Sequence, residues 1–198
     1  MAYRIKAGYF KHASFYSQSL IKDNYEKAAL LGNANGMMNL GTLYGNGRHG
    51  VERCNVKALE WWTKAAALGD GTAMKCLKIL ESSKKLCVAC REGDFNTVKT
   101  LLASGNVNAN FQREDGETPL FAASGHGFLN IVQVLLSRKL IEINQADNEG
   151  TTPLSAASQH GWVNVVNALL ARTEIEITKP MKKGTHHSSW RARKTRWT

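Results

Sequence analysis

The chain has 198 residues, 43% hydrophobic and 21% charged, which excludes a disordered protein and fits one or two modest folded domains. Its formal net charge of +10 suggests an acidic partner, yet seven Lys or Arg and no acid lie from Lys179 onward, leaving 19 basic against 16 acidic residues elsewhere. The body is nearly neutral, and the tail carries the basicity.

In chain order, the opening "MAYRIKAGYFKHASFY" has no apolar run of signal-peptide length, and no run anywhere reaches membrane length. Cys54, Cys76, Cys87 and Cys90 are too few for a disulfide scaffold of this size. A reducing, cytoplasmic compartment and no membrane partner are the resulting expectations.

The segment "KAALLGNANGMMNL" at Lys27–Leu40 returns 37 residues later as "KAAALGDGTAMKCL" at Lys64–Leu77. Tyr25 and Trp62 stand two residues before each "KAA". Small residues at these spacings let two helices approach closely, and the aromatic fills the layer between them. The stretch "LGTLYGNG", followed after a loop by "KALEWWTKAAALG", resembles the Sel1-like repeat, a helix–turn–helix relative of the tetratricopeptide class. The resemblance covers 24–82, with a degenerate helix from Tyr3 onward.

A second period follows. "LCVACREGDFNTVKTLL" begins at Leu86, "LFAASGHGFLNIVQVLL" at Leu120 and "LSAASQHGWVNVVNALL" at Leu154, offset by 34 each time. Gly93, Gly127 and Gly161 stand where a first helix must end in a left-handed residue. Val98, Val132 and Val166 recur with the pairs Leu101–Leu102, Leu135–Leu136 and Leu169–Leu170, predicting one buried face on each second helix. Before two of the units stand "DGETPL" and "EGTTPL", in which Thr118 and Thr152 suit N-caps and Pro119 and Pro153 the first turn. This pattern resembles the ankyrin repeat, with Phe121 and Ser155 where the family often has histidine. The predicted fold is therefore an all-α helical repeat solenoid: Sel1-like units over 1–82, about three ankyrin units over 83–180 and a basic tail over 181–198. The junction "KILESSKKL" has no proline or glycine, so a direct continuation into one rod is expected.

The 34-residue period requires the 147–154 motif to return at 181–188, where the chain reads "MKKGTHHS" and only Gly184 is in place. With each codon begun one base early, Met181 and Lys182 force a Glu, and the frame permits "DEEGNTPL" in that register. The positions of Trp190 and Trp197 become Leu, Val or Met, while Asn or Asp falls opposite Gly161. We read 181–198 as a further ankyrin unit carried out of frame, so that its basic charge has no selected chemistry. On that reading Val165, Val166, Leu169 and Leu170 lack a neighbour and are expected to be partly exposed, in a monomer that self-associates through this end. The alternative is a nucleic-acid arm in which Arg191, Arg193, Lys194 and Arg196 meet phosphates and Trp190 and Trp197 stack on bases.

Chemistry is sparse. "CVAC" at Cys87–Cys90 supplies half a zinc site, and Cys90 aligns with Ser124 and Ser158, which favours packing. His126 and His160 are expected to be turn residues, on the order of 10 Å apart in adjacent units and too far to share a metal. His186 and His187 lack further ligands. No catalytic motif emerges, and no metal or cofactor is expected. The ankyrin resemblance implies that partners bind at the fingertips and the exposed part of each first helix. By position these are Gln112, Glu114, Asp115 and Glu117 with Ser124 and Gly125, then Ala146, Asn148, Glu149 and Thr151 with Ser158 and Gln159. The expected function is a noncatalytic scaffold or adaptor for a protein partner of polar or basic surface. Bacteria that live in eukaryotic hosts often use both families on host proteins, so delivery into a host cell is the expectation if the chain comes from such a bacterium.

Overall fold

The computed structural model describes residues 20–175, all helix, turn and loop. The chain divides into two units, Met1–Glu81 and Ser82–Thr198.

In the first unit, α1 is helical over 20–30, followed by α2 (Ala34–Asn46), α3 (Asn55–Ala67) and the start of α4 (Gly71–Glu92). Gly32 and Gly69, 37 residues apart, end α1 and α3 at φ of 81° and 85°. Asn33 caps α2 by accepting from the Gly36 amide at 2.9 Å, and Asp70 receives the Ala73 amide at 2.8 Å. The small residues act as expected. A Cβ on Gly36 would lie 2.7 Å from that of Ala28, and one on Gly41 or Gly45 would strike the Trp62 indole at 2.6 or 2.9 Å. Around these contacts Ala29, Leu40, Leu43, Tyr44 and Ala58 form the core, with Tyr25 and Trp62 packed against it.

The second unit holds the rest of α4 paired with α5 (Phe95–Ala103), then α6 (Pro119–Gly125) with α7 (Leu129–Leu136) and α8 (Pro153–Gln159) with α9 (Val163–Leu170). Gly93, Gly127 and Gly161 are left-handed at φ of 77°, 78° and 71°, which a side chain tolerates poorly. Thr118 and Thr152 accept the Phe121 and Ser155 amides at 3.1 and 3.2 Å, with proline in the first turn of each helix. Because Thr118 is buried, Thr118→Ala should cost about 1 kcal/mol, read as a lower urea midpoint at unchanged slope.

One core runs through this unit, from Leu86 and Cys90 through Val98, Leu120, Ile131 and Leu135 to Val165 and Leu169. Within this unit, side chains also bond from one repeat to the next. Asn110 donates to the Leu140 carbonyl and accepts the Glu142 amide, at 2.7 and 2.9 Å, and Arg138 donates to the Leu102 carbonyl at 2.7 Å. Of the four α9 residues expected to be partly exposed, two are not. Val165 and Leu169 are fully buried because they share the side of α9 turned to the core, whereas Val166 is half-buried and Leu170 is 44% exposed. The tail at 181–198, with its histidines, arginines and tryptophans, lies outside the described residues.

Candidate functional site: the ankyrin fingertips

Two turns precede α6 and α8, each closed by an equivalent backbone hydrogen bond and by an aspartate that stands at a different place in each turn. In the first, the Arg113 amide donates to the Glu117 carbonyl at 3.0 Å, while Asp115 Oδ1 accepts the Glu117 amide at 3.1 Å. In the second, Asp147 and Thr151 close the turn at 3.0 Å, and Asp147 Oδ1 accepts the Glu149 and Thr151 amides. Such side-chain-to-backbone bonds are why aspartate followed by glycine marks a turn. Gly116 and Gly150 take φ of 83° and 86°, and a Cβ on Gly116 would lie 2.5 Å from the Asn148 nitrogen. Glycine is required there because the next turn packs directly upon it.

Asn148 joins the two tips. Its backbone amide donates to the Asp115 carbonyl at 3.1 Å and its side chain to the Glu114 carbonyl at 2.7 Å. The tips are thus pre-ordered relative to each other, which lowers the entropic cost of binding.

Charge is arranged beneath the first tip. Arg91, near the end of α4, pairs closely with Glu117 and stands 3.9 Å from Asp115, while Arg113 lies 3.8 Å from Asp115. Of the expected contact residues, Glu114, Asp115, Asn148, Ser158 and Gln159 are exposed. Gln112, Ala146, Glu149 and Gly125 are half-buried. Glu117, Ser124 and Thr151 are buried, and this corrects their assignment to the contact surface. Glu117 turns inward to Arg91, Ser124 lies on the packed side of α6, and Thr151 closes its turn. Arg91 and Arg113 join the tip only in three dimensions. The available signal was positional, since Arg91 aligns with Gly125 and Gln159.

The cysteines behave as packing residues. Cys87 and Cys90 are buried free thiols, and burial pushes Cys87 up to about 12 and Cys90 higher still, with nearby Arg113 and Arg91 only partly offsetting this at Cys87. Thiols held protonated are poor nucleophiles, so native protein at pH 8 should take up iodoacetamide at Cys54 and Cys76 well before Cys87 and Cys90. Peptide mass mapping reads the order, and all four should react once the chain is unfolded. His126 and His160 sit at helix ends, each with Nδ1 close to a carbonyl, Ala122 at 2.8 Å and Ala156 at 2.9 Å. Among the described residues no group of three or more His, Cys, Asp or Glu could hold a metal, and no helix is long and apolar enough to cross a membrane.

The Sel1 repeat model matches residues 12–33 and 34–70, and the ankyrin repeat model matches 86–180 in three copies. The chain is a Sel1 repeat array followed by ankyrin repeats. Both repeat families are protein–protein interaction modules, typically noncatalytic. No curated protein matches the chain. It is similar to a chain in the solved structure of a predatory endopeptidase from Bdellovibrio bacteriovorus in complex with an immunity protein. The identity is 36%, over 45% of this chain and 46% of that one, at a TM-score of 0.43.

Proposed function

We propose that this Sel1–ankyrin chain is an adaptor that holds a protein partner across the two fingertips and the adjoining ends of α6 and α8. The tie made by Asn148 carries the reading. It fixes Glu114, Asp115 and Asn148 on one pre-ordered surface, with Glu149 beside them and Ser158 and Gln159 at the end of α8. Exposed acids on that surface favour a partner of basic or polar character, because Arg91 is engaged with Glu117 while Glu114 faces solvent.

Photo-crosslinking tests this directly. A benzophenone side chain placed at Glu114, Asn148 or Gln159 should capture one common partner, and the same group at exposed Lys99 on α5 should not. Glu114→Lys with Glu149→Lys should weaken capture at least about tenfold through like-charge repulsion. Equal capture from Lys99, or indifference to charge reversal, would move the site off the fingertips.

A further inference from the structure

Among the described residues of the second unit, a repeated notch is filled twice and open once. At Gly93 a Cβ would fall 2.6 Å from the ring of Phe128, the residue just before α7 in the next repeat. At Gly127 it would fall 2.5 Å from the indole of Trp162, the residue just before α9. Each left-handed glycine is therefore the floor of a slot that takes an aromatic ring 35 residues later in the chain. The Trp162 indole N–H also donates to the Gly125 carbonyl at 2.9 Å, so the slot supplies an acceptor as well as a floor.

Gly161 is the third member of the series. It has the same backbone, with φ of 71°, and among the described residues nothing stands within 4 Å of a Cβ built there. Gln159 occupies the place of Gly125, and its carbonyl lies at the corresponding helix end. Beside the open slot runs an apolar strip. Trp162, Val163 and Leu170 are 42%, 65% and 44% exposed, and Val166 is half-buried. The corresponding residues one repeat earlier, Phe128 and then Leu129, Val132 and Leu136 of α7, are all buried or half-buried. The exposed strip is thus the continuation of an interface already formed twice within the unit.

We propose that the Gly161 slot and this strip form a second docking site, for an ankyrin-type helix of a partner polypeptide that opens on an aromatic residue, tryptophan fitting best. The ring would lie over Gly161 with its indole N–H on the Gln159 carbonyl, and the apolar side of the helix would cover Val163, Val166 and Leu170. This site lies on the α9 side of the fingertips, shares only Gln159 with the surface proposed above, and does not rest on that reading.

The test uses the full chain and a lactam-stapled peptide copying residues 159–172, the segment that fills the equivalent slot at Gly127. Binding should shift the Gly161 amide resonance, and replacing the peptide's tryptophan with alanine should weaken it at least about tenfold. In the full chain, Gly161→Asn should weaken it similarly. Asparagine tolerates the left-handed conformation, so the fold is retained, as an unchanged melting curve will show, while the slot is filled. Absence of binding, equal binding to Gly161→Asn, or shifts confined to the fingertips would overturn the proposal. Binding that appears only after Trp190→Ala and Trp197→Ala would also overturn it, since the slot would then belong to the chain's own tail.

Discussion

Leu135→Ala will destabilise the ankyrin unit by about 2–5 kcal/mol, the range for a large apolar side chain removed from a packed core. Leu135 has no exposure and belongs, with Ile131 and Leu169, to the one core that runs through all three helix pairs. Stacked repeats share energy only with their neighbours, so a cavity in the middle pair weakens both of its interfaces. The partially exposed Trp162 provides a probe near α9. With Trp61, Trp62, Trp190 and Trp197 replaced by phenylalanine, its fluorescence transition should move to lower urea together with far-ultraviolet dichroism. Leu170→Ala, at an exposed position of α9, should cost less than about 1 kcal/mol. Equal effects from the two substitutions would show that the core is not where the packing puts it.

Glu117→Ala carries the second large effect. A fully buried ion pair loses about 3–5 kcal/mol when one partner is removed, because the other charge stays desolvated. Arg91 keeps 22% side-chain exposure and has Asp115 at 3.9 Å, so the loss should be nearer about 2 kcal/mol. Arg91→Ala should cost a comparable amount, and the double substitution less than the sum of the two. A coupling energy below about 0.5 kcal/mol in that cycle would mean that the pair contributes nothing beyond its separate side chains. The effect should persist at high salt, since screening acts weakly on a buried carboxylate.

Much of this architecture was legible because repeats state the same physical requirement more than once. Three glycines at intervals of 34 mark one left-handed helix end, and Thr118 and Thr152 mark one cap. The Sel1 half was legible through its small residues, whose packing against Trp62 and Ala28 leaves no room for a Cβ. What the sequence concealed was which side of each position faces inward. Glu117, Ser124 and Thr151 occupy positions that resemble contact residues, yet an arginine 26 residues away, a packed helix side and a turn hydrogen bond bury them. The same limit applied to α9, where Val165 and Leu169 turn to the core and Val166 and Leu170 do not. Conjoined tips were equally hidden, since nothing in the spacing of Asn148 shows that it reaches back to Glu114.

The most direct measurement of the adaptor reading is a hydrogen-exchange footprint of the crosslinked partner bound to the full chain. Exchange should slow at 112–116, 146–150 and 158–160, with α5 unchanged. Protection confined to α5, or to the Sel1 unit, would contradict it.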